Sequence, residues 1–108
     1  MNKNILTLNE IDFEKTIKHS NKPVLVDFYA LWCSPCKMQQ PIIDELYNTL
    51  KDKVEFFKVN IDESEHLCEL LNIESIPYIA IYYKGELVEK SVGLTSLGEL
   101  SSMIIKYL

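Results

Sequence analysis

The stretch Val24-Leu25-Val26-Asp27-Phe28-Tyr29-Ala30-Leu31-Trp32-Cys33-Ser34-Pro35-Cys36-Lys37 decides the fold. Its first half is a nearly continuous apolar run rich in β-branched and aromatic side chains. Such a run reads as a central strand covered on both faces. A Cys-x-x-Cys follows at once, with Pro35 suited to the first turn of a helix because its missing N–H is no loss there. From Pro35 to about Leu50, residues Met38, Pro41, Ile42, Leu46 and Leu50 keep a mostly helical period. Pro41 inside that period predicts a kink. A buried strand therefore hands over to a helix, with two thiols at the junction.

Working outward, Ile5-Leu6-Thr7-Leu8 reads as a short first strand, and Asn9 as the N-cap of a helix carrying Ile11, Phe13 and Ile17 and ending near His19. Lys22-Pro23 breaks it. Beyond the thiols, residues 54–61 form the next strand, and Asp62-x-x-Glu65 resembles a capping box opening a short helix through Leu67, Leu70 and Leu71 that stops around Asn72. Tyr78–Tyr83 and Glu86–Val92 read as a hairpin turned at Lys84-Gly85. Gly93 ends it, and Ser96-x-x-Glu99 caps a last helix with Leu100, Met103, Ile104 and Leu108. The order is βαβαβα followed by ββα. The first part implies a parallel half-sheet, the hairpin adds two antiparallel strands, and the working site of such a sheet lies at the carboxyl end of a central strand. The Cys-x-x-Cys lies there.

The whole chain agrees with one domain spanning 1–108. Its 108 residues suffice for a core, and three glycines and four prolines leave little room for linkers. Sixteen acidic against eleven basic residues give a net charge of −5, with no basic stripe, which is a poor case for nucleic-acid binding. No apolar run approaches the roughly 20 residues a membrane-crossing helix needs. The opening Met1-Asn2-Lys3-Asn4-Ile5-Leu6-Thr7 has no apolar h-region, so a cytoplasmic chain is expected. In a reducing compartment a Cys-x-x-Cys is catalytic or metal-binding rather than a scaffold bridge.

At the start of a helix, unpaired N–H groups and the positive end of the helix dipole favour an anion, so Cys33 is expected to hold a stabilised thiolate. Cys36, one turn on, is close enough to close a disulfide with it. The implied chemistry is exchange: Cys33 attacks a substrate disulfide, and Cys36 then resolves the mixed disulfide. Trp32 would form one wall of the exposed face. The competing reading is a metal half-site, for which only His19, His66 and Cys68 are spare, and His66 and Cys68 do not readily face one ion. Asp27, a carboxylate in an apolar strand, is either a buried base of raised pKa serving Cys36 or a satisfied Asp at a strand end, with Lys58 as its partner in both cases. Pro77 either opens a strand or forms a cis bond facing the cysteines and presenting the backbone of Ile76 to an extended substrate. Cys68 is either a small packing residue or a regulatory thiol.

Taken together, Val24–Ala30, Trp32-Cys33-Ser34-Pro35-Cys36-Lys37, Pro41, Phe57-Lys58-Val59-Asn60-Ile61-Asp62, Ile76-Pro77, Gly85 and Gly93 resemble the thioredoxin family, in its bacterial form, over nearly the whole chain. The resemblance implies a three-layer sandwich: a central mixed five-stranded sheet flanked by four helices. It implies a redox-active Cys33–Cys36 disulfide with Cys33 as nucleophile and Cys36 as resolving thiol, no bound cofactor and no metal. Asp27 and Lys58 become the proton-handling pair, and Pro77 a cis proline. Ser34, Pro35 and Lys37 shape the site, and a substrate groove runs past Trp32, Ile76, Pro77 and Gly93. The implied partners are disulfide-containing proteins and a flavin-containing thioredoxin reductase, with the chain a monomer. Ser34 replaces the usual Gly, Tyr29 a common Trp, Ser75 a frequent Gly and Tyr78 the usual Thr, departures that bear on potential, reductase choice and substrate choice. The alternatives are a partner-binding module with idle cysteines, or an oxidant that makes disulfides.

Overall fold

Period-two alternation sorts the side chains of Val24–Tyr29 (β2) onto two apolar layers. Val24, Val26 and Phe28 enter one core with Phe13, Ile17, Leu67 and Tyr82, whereas Leu25 enters the other with Ile43, Leu46, Leu100 and Ile104. The computed structural model describes residues 2–108. The other strands are Leu6–Thr7 (β1), Glu55–Asn60 (β3), Tyr78–Tyr83 (β4) and Glu86–Val92 (β5). The helices are Glu10–His19 (α1), Ser34–Leu50 (α2), Glu65–Leu70 (α3) and Leu97–Ile105 (α4). The five strands form one sheet in the order β1-β3-β2-β4-β5. β1, β3 and β2 run parallel, while β4 pairs antiparallel with β2 and β5 with β4. α1 and α3 supply the first core, α2 and α4 the second. This is the mixed, three-layer sandwich that the family resemblance implies, with the strands and helices in the order read from the sequence.

Local chemistry explains most boundaries. Oδ1 of Asn9 accepts the N–H of Asp12 at 2.9 Å, capping α1, whose first turn carries Glu10 and Asp12 and whose last carries Lys18 and His19, as the helix dipole favours. Oγ of Ser96 accepts the N–H of Glu99 at 3.2 Å and caps α4. In the β4–β5 hairpin both Lys84 (φ 54°) and Gly85 (φ 83°) are left-handed, as the favoured two-residue turn demands.

Two expectations are corrected. The capping box from Asp62 to Glu65 does not form. Asp62 lies in a single 3-10 turn over Ile61–Glu63, capped by Asn60, and α3 starts from Ser64 with no side-chain cap. Both halves of the box are pre-empted from elsewhere. The Asp62 carboxylate accepts the indole N–H of Trp32 at 2.8 Å, and the Asp62 N–H that a Glu65 side chain would meet already donates to Asn60 Oδ1 at 3.0 Å. The second correction concerns the inward face of α2. Met38 is 61% exposed, and the buried stripe is Cys36, Gln39, Ile43 and Leu46. Once Cys36 faces inward, the residues three and seven further on must follow it, whatever their hydrophobicity. α2 runs continuously through Pro41, so the expected kink is not accompanied by any break in the helix.

Candidate active site

The chain leaves β2 at Tyr29 and enters α2 at Ser34, and Cys33 stands at the junction as the N-cap residue. Its backbone is extended (φ −91°, ψ 108°), and its Sγ accepts the N–H of Cys36 at 3.2 Å. The sulfur thus occupies the position that a Ser or Asp oxygen fills at other helix starts, in the field of the first-turn N–H groups. Pro35 sits in that turn, where its missing N–H leaves nothing unpaired. Cys33 and Cys36 are joined by a disulfide, with Cα atoms 5.2 Å apart.

Around the sulfurs lie Tyr29 and Ala30 from the end of β2, with Ile61 and Ile76 packed against them. Cys33 and Cys36 are 4% and 2% exposed, while Trp32 beside them is 67% exposed and held by Asp62. Ser34 and Lys37 are exposed on the outer side of the turn. The Ile76–Pro77 peptide is cis. The carbonyl of Pro77 accepts the N–H of Gly93 at 2.8 Å, and Gly93 has φ +85°, where a side chain would be strained. Trp32, the cysteines, Ile76, Pro77 and Gly93 therefore gather at one end of the sheet.

Asp27 is not among them. By alternation it faces α2 from the middle of β2, 5% exposed, beside a small cavity that it shares with Gln40, Asp44 and Lys58. Lys58 lies directly across from it in β3. Among the described residues, Oδ1 of Asp27 has no hydrogen-bond partner. Burial pushes this carboxyl up to about 7; Lys58 opposes the rise and Asp44 adds to it. Gln40 also lines the groove beside Cys36, so one side chain stands between the carboxylate's cavity and the resolving sulfur.

The raised Asp27 value makes stability depend on pH. In the unfolded chain the group ionises near 3.8, but in the folded chain it holds its proton to about 7. Its stabilising contribution is complete below the unfolded value and is lost as pH rises through the folded one. Asp27→Asn cannot ionise, so denaturant unfolding should find it level with the parent near pH 4. It should be progressively more stable across pH 4–7, at up to about 1.4 kcal/mol per unit. A gap that does not widen with pH contradicts the buried, proton-holding carboxyl.

Cys68 is 7% exposed and packs in the α1–α3 core, where burial pushes its thiol pKa upward. Among the described residues, no three His, Cys, Asp or Glu side chains gather to hold a metal ion. No helix among the described residues is long and apolar enough to cross a membrane. Sequence reasoning missed two contributors: Asp62 as the anchor of Trp32, and Gln39 with Thr95. For Asp62 the sequence carried no signal of the contact. For Gln39 the signal was its place three residues after Cys36.

Comparison with known proteins agrees with this geometry. The Thioredoxin family model matches residues 4–106. Thioredoxin of Rickettsia felis is 42% identical over 99 residues, covering 92% of this chain and 94% of that one. Thioredoxin of Haemophilus influenzae is 34% identical over 104 residues, covering 96% and 97%. Among solved structures, oxidised mitochondrial thioredoxin 3 of Saccharomyces cerevisiae superimposes with a TM-score of 0.86 at 31% identity, covering 94% of each chain.

Proposed function

The chain belongs to the thioredoxin family, and on that premise we propose how its residues divide the work of reducing protein disulfides. It is a thiol–disulfide oxidoreductase, a protein-disulfide reductase, whose paired cysteines carry the electrons. The observation that supports the division of roles is the capped sulfur: Cys33 Sγ receives the Cys36 N–H at the start of α2 and is bonded to Cys36. In the reduced chain that position favours thiolate at Cys33. The thiolate attacks one sulfur of a substrate disulfide, the substrate S–S bond breaks, and the departing sulfur leaves as a thiolate that takes a proton from water. Cys36 gives its proton to the Asp27 carboxylate through the Gln40-lined space and attacks Cys33. The second substrate thiolate is released, and Cys33–Cys36 closes. Two electrons have passed to the substrate, and the disulfide seen here is the oxidised end state.

Lys58 supports the ionised form of Asp27 from the neighbouring strand. Trp32, Ile76, Pro77 and Gly93 form the surface against which an extended substrate segment lies, with Ile76 offering its backbone. Ser34, Pro35 and Lys37 shape the Cys-Ser-Pro-Cys turn of a bacterial-type member. The chain acts as a single thioredoxin domain over 1–108, as a cytoplasmic monomer, without a bound cofactor. A flavin-containing thioredoxin reductase returns it to the dithiol.

The test is reduction of insulin by the purified chain, driven first by a dithiol and then by NADPH with a bacterial thioredoxin reductase. Reduction with both donors is expected. Reduction with the dithiol alone would reject that reductase as the electron source, and reduction with neither would reject the function.

A further inference from the structure

Three segments, the Cys33–Cys36 turn, Ile76-Pro77 and Gly93–Thr95, are linked at the sulfur pair, and a buried glutamine closes them into a ring. Ile76 packs against the cluster formed by Tyr29, Ala30, Cys33 and Cys36, and the carbonyl of the next residue, Pro77, accepts the Gly93 N–H at 2.8 Å. The Gly93 carbonyl in turn accepts Thr95 Oγ1–H at 3.0 Å. The backbone of Thr95 is then held by one side chain. Gln39 Nε2 donates to the Thr95 carbonyl at 2.9 Å, and the Thr95 N–H donates to Gln39 Oε1 at 2.8 Å. Gln39 is 0% exposed and lies on α2 three residues beyond Cys36, so the ring returns to the helix that carries the sulfurs.

A primary amide offers one donor and one acceptor side by side, which lets it pair with a backbone N–H and C=O as a second peptide would. An apolar residue would suit this inward position of α2 more cheaply, because a buried amide must have every polar atom met. α2 needs nothing from Gln39 for its own ladder. What the amide fixes is the loop from Gly93 to Thr95, 56 residues away in sequence.

We propose that Gln39 is a positioning residue that sets the Gly93–Thr95 loop against the Cys33–Cys36 turn, and so determines how well an extended segment of a protein substrate seats beside Cys33. This rests on the reading of Ile76, Pro77 and Gly93 as the substrate surface. Small disulfides that reach Cys33 without lying along that surface are indifferent to Gln39.

The test is single-turnover kinetics of the pre-reduced protein, followed by Trp32 fluorescence, with insulin and with the small aromatic disulfide 5,5′-dithiobis(2-nitrobenzoate). In Gln39→Leu the half-saturating insulin concentration should rise about tenfold, with the limiting rate and the small-disulfide rate within about twofold of the parent. A purely structural role would lower the melting temperature without separating the two substrates. Thr95→Val keeps both backbone bonds to Gln39 and removes the hydroxyl's bonds to the Gly93 carbonyl and to the Ser91 hydroxyl. It should show the same selectivity at smaller size, and it decides the matter if Gln39→Leu does not fold. Equal loss with both substrates, or no change with insulin, overturns the proposal. Ile76→Ala separates the two layers of inference. If it weakens insulin binding while Gln39→Leu does not, the role of Gln39 alone fails; if neither does, the substrate surface fails as well.

Discussion

Cys33→Ser is expected to bring insulin reduction down to the uncatalysed background, a loss of at least about 10³-fold, because a hydroxyl at this position is not ionised near neutral pH and cannot carry exchange. The fold should survive. Serine is a good N-cap, and its oxygen can accept the Cys36 N–H that Sγ accepts in the parent. Thermal unfolding of reduced parent and variant should therefore agree closely while activity differs completely. Cys68 cannot substitute, since it is buried in the α1–α3 core, on the other side of the sheet from α2. The measurement is the initial rate of insulin precipitation with excess dithiol. Retained activity would show that the nucleophile has been misassigned.

Cys36→Ser should fail differently. Cys33 keeps its place at the start of α2, so the first attack proceeds and one substrate thiol is released per chain. With no second sulfur one turn along the helix, the mixed disulfide with Cys33 has nothing within the protein to resolve it. Turnover should fall by about 10³-fold, and a covalent complex of variant and substrate should accumulate on non-reducing gels. The pair of variants thus distinguishes the two sulfurs: one loses the first step, the other accumulates its product. A Cys36→Ser chain that turns over steadily, or a complex that maps to Cys68, would contradict the roles assigned here.

The fold was legible where residue chemistry acts locally. The apolar run of β2 could only be covered on both faces, Asn9 and Ser96 cap the helices they precede, and Lys84-Gly85 makes the turn its type demands. The two sulfurs were legible for the same reason, since strand end, Cys, Pro and helix start are all neighbours in sequence. What was not legible depends on partners far away. Hydrophobicity selected Met38 as an inward residue, yet Gln39 takes the inward place because Thr95 supplies both of its partners. Asp62 was read as a cap for α3, but its carboxylate is occupied by Trp32. The alternatives for Asp27 could not be separated by sequence, because they differ in what lies across from it on α2, where Gln40 and Asp44 line its cavity.

The placement of Asp27 also explains how the site can hold a costly group. A carboxylate with an unpaired oxygen in a sheet interior is destabilising at neutral pH, and the two cores on either side of β2 offset that cost. In the proposed mechanism, activity and stability are thereby set against each other at this one residue.

The most direct measurement is equilibration of Cys33 and Cys36 with glutathione buffers of graded composition, followed by counting of free thiols. A reducing pair should pass from dithiol to intramolecular disulfide in one two-electron step. Its midpoint should lie nearer the roughly −270 mV of thioredoxin than the roughly −180 mV of protein disulfide isomerase. A midpoint at or above the latter value, or trapping of glutathione on single cysteines with no bond between 33 and 36, would contradict a protein built to give electrons to other proteins' disulfides.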